Sequence, residues 1–350
     1  MCALKSSAVV IITGVSQLEV LLSLIEAPDR AVVETTRDSA DPLAKAFARH
    51  ETFHVRYGWL KKGFDLASAS PEAFLEPDAA VRLGVGKNMV RAIRYWCRAF
   101  KLTGEMQSPD RPRTYLDVPT SFGRMLLADQ GWDPYLENPA SLWLLHWKLL
   151  QATCFAPTWF AVFNGAFLGA VTDEILFTEA AVLRDTHPGW SDVVDASLHK
   201  DVDCLLRMYA PRRGRGKSLE DSLDSPFAAL RLLAPVESDR HLYTFNVGPK
   251  DGLADEVILF AMMEYLVSRG RTTAGTAMLS SLAYDEGSPG RVFRLAESDL
   301  SGAIERLSAN WPDVELADVA GSHQLMLHAD AAQLSNRVLE SFYGKGDHSE

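Results

Sequence analysis

The run from Pro77 to Lys101 has the clearest alternation of apolar and polar positions in the chain. A short apolar helix ends at Leu83, Gly84 and Gly86 supply a sharp turn, and a second helix follows. At about 100° per residue, Met89, Val90, Ile93, Trp96, Cys97 and Phe100 share one face of that helix. Lys87, Arg91, Arg94, Arg98 and Lys101 form a separate stripe, and Asn88 and Tyr95 extend the polar side. The pattern predicts a helix docked by one face with a basic stripe turned outward. After a polar excursion, Arg111-Pro112-Arg113-Thr114-Tyr115-Leu116 reads as the β-wing of a winged helix, with two arginines placed to touch a DNA backbone. Residues 111–118 are expected to be extended and 120–128 helical.

Further along, Asn138-Pro139-Ala140-Ser141 is a helix start with Ser141 as the expected cap. The stretch 141–210 is expected to be mainly helical, and proline, glycine and charge at 210–217 mark a loop or linker. The last third predicts helices over 254–268, 297–308 and 330–343 and strands over 242–247 and 291–295. The expected fold class is α+β, mainly helical. It comprises an N-terminal segment (1–48), a winged helix-turn-helix domain (49–140), a helical middle with a basic linker (141–217) and an α+β C-terminal domain (218–350).

Charge sharpens this reading. The 350 residues carry a formal net charge of -11, which excludes a uniformly basic DNA-coating protein. Between positions 81 and 113, however, eight basic residues face only Glu105 and Asp110. A second island, Arg207 to Lys217, includes Arg212 and Arg213 and holds no acid. Basic islands in an acidic chain are what a localised nucleic-acid footprint requires. The bland alternative is a solvated basic helix and an exposed linker. Lys87, Asn88, Arg91, Arg94 and Arg98 are the candidate DNA-reading residues. Arg111 and Arg113 are candidate wing contacts, and Arg212 and Arg213 further DNA contacts. The four cysteines are widely spaced and form no Cys-x-x-Cys pair, so neither a zinc knuckle nor a disulfide framework is expected. A reducing cytoplasm fits this usage, and no membrane association is expected.

Several catalytic signatures fail. Gly84-Val85-Gly86-Lys87 lacks the first glycine of a phosphate loop, and Asn88 stands where Ser or Thr should follow the lysine, so no nucleotide cofactor is expected. His146-Trp147-Lys148 lacks its downstream Asp, and His146 reads as a packed helix residue between tryptophans. Asp201 and Asp203 face differently on a helix and read as surface or salt-bridged acids. Residues 49–63 hold more promise. His50 is a candidate general base, Glu51 a metal-capable carboxylate, and Arg49, Arg56, Lys61 and Lys62 are phosphate-clamping cations. The alternative is an aromatic anchor of Phe53, Tyr57 and Trp59 with its charges in solvent.

The blocks Arg49-His-Glu-Thr-Phe, Arg56-Tyr-Gly-Trp-Leu-Lys-Lys-Gly, Leu83-Gly-Val-Gly-Lys-Asn-Met-Val-Arg-Ala-Ile-Arg-Tyr-Trp and Leu142-Trp-Leu-Leu-His-Trp resemble an SspB-like bacterial domain family of unknown function. Asp221-Ser-Leu-Asp-Ser-Pro and Ser288-Pro-Gly-Arg-Val-Phe-Arg-Leu continue the likeness, which spans roughly 48–345. Members accompany DNA phosphorothioation genes, in which sulfur replaces a non-bridging phosphate oxygen. The resemblance implies a strand-nicking endonuclease that opens duplex DNA for sulfur insertion in an anti-phage system. It also implies a divalent metal, Mg²⁺ or Mn²⁺, and as partners a cysteine desulfurase, an ATPase and an ATP-pyrophosphatase-like protein. It carries over no catalytic residue. A non-catalytic DNA-binding adaptor that recruits the sulfur-transfer enzymes is the alternative, and a plain transcriptional repressor a third.

Overall fold

Trp59, Leu60, Phe64, Leu66 and Ala67 make the buried side of the helix α1 (Trp59–Ala69). This is a computed structural model, which describes residues 41–165, 169–210, 225–236, 239 and 241–344. A 3-10 turn, Ala73–Leu75, leads to α2 (Ala79–Leu83) and α3 (Lys87–Ala99). Gly84 ends α2 in the left-handed region at φ 66° and donates its N–H to Val81 O, a turn that disfavours a side chain. Along α3, Val90, Ile93, Trp96 and Cys97 are buried as the apolar stripe requires. The buried arc is wider than that stripe, because Tyr95 is also buried and donates its hydroxyl to Phe155 O at 2.9 Å. Helices α1 and α3 approach closely at Gly63, where a Cβ would lie 2.4 Å from Cys97 Sγ.

The hairpin that follows is longer than the expected wing. β1 (Thr103–Gln107) pairs antiparallel with β2 (Tyr115–Pro119), Thr103 opposite Pro119 and Gln107 opposite Tyr115. Arg111 and Arg113 therefore lie in the connecting loop, not in a strand. Thr120 caps α4 (Ser121–Leu127) by accepting from the Gly123 N–H at 2.9 Å. In α5 (Pro139–Leu150) the cap is Asn138, which accepts from the Ala140 N–H; this corrects the expectation of Ser141. Ser141 lies inside the helix and donates its hydroxyl to Asp133 at 2.6 Å.

The middle of the chain is helical apart from one short strand. It holds α6 (Pro157–Asn164), β3 (Ala170–Val171), α7 (Asp173–Thr186) and α8 (Asp195–Tyr209). β4 (Leu233–Pro235) and β5 (Tyr243–Phe245) join β3 in an antiparallel sheet of order β3-β5-β4. The last part contains α9 (Asp255–Ser268), β6 (Gly275–Met278), α10 (Leu279–Tyr284), α11 (Pro289–Phe293) and α12 (Glu297–Ser308). It ends with β7 (Val314–Val319), β8 (Ser322–Leu327) and α13 (Ala331–Gly344). β6, β8 and β7 form a second antiparallel sheet in that order. The expected strand at 291–295 is instead the end of α11, because Ser288 caps and Pro289 opens a helix there. The chain is thus α+β with helix predominant. Trp96, Trp143, Trp147, Trp159 and Tyr209, from four helices, are fully buried in the core. His146 is buried among them. Its Nδ1 hydrogen-bonds the Tyr209 hydroxyl at 2.7 Å and its Nε2 the Val292 carbonyl at 3.0 Å, joining α5, α8 and α11.

Candidate nucleic-acid interface

The α3 stripe divides in two. Lys87, Asn88 and Arg91 occupy the first turns and are exposed, Arg91 with 67% of its side chain accessible. One and two turns on, the arginines are held by the protein itself. Arg94 Nε donates to Asp117 Oδ2 at 2.7 Å and its Nη2 to Tyr115 O at 2.8 Å. Arg98 donates to Asp117 Oδ1 and to Glu105. Asp117 on β2 is completely buried, so two guanidinium groups compensate one carboxylate that has no water. Arg94 and Arg98 thus tie the hairpin to α3 and are not outward cations as the sequence suggested. In the hairpin loop Arg111 and Arg113 are exposed, and Arg111 pairs with Glu72 at 2.9 Å. Arg212 and Arg213 lie outside the described residues.

The segment holding His50 and Glu51 has an unusual backbone. Ala48, Glu51 and Thr52 all take positive φ, at 54°, 51° and 67°. Such conformations cost roughly 1–2 kcal/mol per non-glycine residue and persist only where the surroundings hold them. Asp201 of α8 does so: its carboxylate accepts from the Ala48 N–H at 2.8 Å and from Thr158 Oγ1 at 2.8 Å, and hydrogen-bonds His50 Nε2 at 2.7 Å. From the same helix Arg207 Nη2 donates to Thr52 O at 2.8 Å.

His50 is fully buried, stacked on Trp96 and edge-on to Trp159. Burial opposes a second proton on the ring, but Cys204 and Asp201 favour one and raise its pKa to about 10. A general base must be reachable and free near neutral pH. His50 meets neither condition, so the general-base expectation is corrected: the ring anchors the 48–52 segment. Glu51 projects the other way, 34% exposed, with one oxygen 3.5 Å from Arg91 Nη1. The segment therefore sets a carboxylate beside the exposed half of the α3 stripe. Arg56 lies over the rings of Phe53 and Trp59, and Lys61 pairs with Asp65 and Asp129, so these two clamping candidates are engaged within the fold.

Asp201 and Asp117 are the residues that sequence reasoning missed. Asp201 was expected as a surface or salt-bridged acid; it is buried and paired with His50, a partner the sequence did not indicate, and Asp117 carried no signal beyond being an acid in a predicted strand. Among the described residues no three His, Cys, Asp or Glu groups converge as a metal site does.

A family model for proteins of unknown function, DUF4007, matches residues 47–343. The chain belongs to that family. Two solved structures are similar to it over nearly the whole length. A magnesium-ion-bound SspB crystal structure is 39% identical with a TM-score of 0.82, over 88% of this chain and 90% of that one. An SspB crystal structure is 38% identical with a TM-score of 0.80, over 88% and 91%. The chain is therefore SspB-like. No curated protein matches it. No described helix is long and apolar enough to cross a membrane.

Proposed function

We propose that this protein binds duplex DNA and nicks one strand so that sulfur can be inserted in an SspB-type phosphorothioation system. The DNA-binding domain is residues 49–140, with α2, α3 and the β1–β2 hairpin acting as a winged helix. One observation carries the reading: Lys87, Asn88 and Arg91 are exposed on the first turns of α3, with Arg111 and Arg113 exposed on the adjoining hairpin loop. A helix start supplies unpaired backbone N–H groups and the positive end of its dipole, which favour a phosphate. Lysine and arginine add charge that displaces counterions from the duplex. Arg212 and Arg213 extend the proposed footprint.

For the nicking step Glu51 is the acidic group we assign, next to a cation suited to a phosphate oxygen. The likeness to a magnesium-bound SspB supports Mg²⁺ as the ion required, and Mn²⁺ serves as its substitute. Cysteine desulfurase, ATPase and ATP-pyrophosphatase-like proteins are the proposed partners. A second reading, a DNA-binding adaptor without catalysis, is favoured by the burial of His50. A supercoiled-plasmid assay separates them. The purified chain with Mg²⁺ is expected to give open circles, EDTA to stop this, and Glu51→Gln to slow it roughly hundredfold. Undiminished nicking by Glu51→Gln removes Glu51 from the site. Duplex binding with no nicking under any metal establishes the adaptor.

A further inference from the structure

A cleft of about 740 Å³ opens where the end of α3, the start of β1, the start of α4 and the end of α5 meet α9 and α13. That volume falls in the range of small-molecule sites. Three residues on its wall carry buried polar atoms without a hydrogen-bond partner: Arg98 Nη2, Thr103 Oγ1 and Gln151 Nε2. An atom of this kind is destabilising in a folded protein for as long as it stays unpaired. Thr103 is itself only 2% exposed.

The chemistry of the wall narrows the occupant. Arg98 is already compensated by Asp117 and Glu105, and Lys148 by Glu264 at 2.5 Å. The arginine's remaining N–H groups therefore suit a neutral carbonyl oxygen or ring nitrogen better than a second anion. Gln151 offers an amide, the group that pairs with base edges, and Arg98 the donor that pairs with keto oxygens. Phe122 and Phe155 supply aromatic surface on the same wall. A flat heterocycle with hydrogen-bonding edges fits these groups, and with its sugar it fits the volume.

Position connects the cleft to the DNA face. Arg98 lies seven residues after Arg91, so it is on the same side of α3 and about 10 Å further along. We propose that this cleft receives a nucleobase, read by Arg98, Thr103 and Gln151, from a nucleotide unstacked beside α3. The source of the base as DNA rests on the proposed function, whereas the pocket itself does not.

The test uses the full chain, the double variant Thr103→Val with Gln151→Leu, free nucleosides, and a duplex carrying 2-aminopurine. Removing atoms that have no partner in the fold should leave the melting temperature unchanged or raised. Nucleoside binding by calorimetry is expected for the natural chain and should weaken about tenfold in the variant. A rise in 2-aminopurine fluorescence on adding the natural chain, lost in the variant, identifies a base taken from the strand. Nucleoside binding without that rise identifies a free nucleoside as the ligand of the same pocket. No nucleoside binding and no fluorescence change overturn the proposal, as does binding undiminished in the variant. Loss of duplex binding by anisotropy, with nucleoside affinity intact, sinks the DNA reading and leaves the pocket standing.

Discussion

Asp117 accepts from two arginines one helical turn apart while having no access to water. Replacing Arg98 by Ala leaves that carboxylate with Arg94 alone and leaves Glu105 without its cation. We expect a loss of roughly 1–3 kcal/mol of stability, read from the urea midpoint, with no change in the salt slope of duplex affinity, because Arg98 is not placed on a phosphate. Unchanged stability with a lowered salt slope would return Arg98 to the outward face. His146 gives a pH prediction. Burial lowers its pKa to about 4, so between pH 6.5 and 4 the unfolded ring binds a proton that the folded ring refuses. The unfolded state then binds more protons, and stability falls as pH drops through that window, by about 3 kcal/mol in total from this group. Unfolding titrations at pH 7 and pH 4.5 check it: His146→Gln should shrink the difference, and an equal difference in the variant would contradict it.

At the scale of elements, the local signals were readable. The glycine turn, the apolar stripe of α3, the proline opening α5 and the helices near 254–268 and 297–308 follow from spacing and from residues at helix ends. Thr120 adds a cap whose hydroxyl donates to Lys101 O at 2.6 Å and accepts from the Gly123 N–H, joining the turn after α3 to the start of α4. Thr120→Ala should cost about 1 kcal/mol, or up to about 2 if both bonds count, by the urea midpoint; no loss would mean that the cap is not formed. The misreading at 291–295 came from the apolar and β-forming residues Val292, Phe293 and Leu295, which outweighed the Ser288-Pro289 start signal. The sheet strands β6, β7 and β8 were missed, because short half-exposed strands give little periodicity. What the sequence could not disclose was pairing at a distance. Asp201 meets His50 from 151 positions away, and Asp117 meets Arg94 from 23, and these contacts decide which candidate side chains are free.

For the whole molecule, the described residues of an acidic chain present a basic face at the start of α3 whose exposed part is smaller than the sequence indicated. In the proposed reading, three side chains at the start of α3 and two on the hairpin loop meet a duplex, beside a carboxylate fixed by a buried anchor. The SspB-like fold gives that face a context, and the proposed base-binding cleft at the far end of α3 extends it beyond the backbone. The most direct test is the salt dependence of duplex affinity for the natural chain, Arg91→Ala and Arg94→Ala. Each lost phosphate contact lowers the slope of log K against log salt by about 0.9. The account predicts that decrease for Arg91→Ala and none for Arg94→Ala. Equal slopes for the natural chain and Arg91→Ala would contradict it.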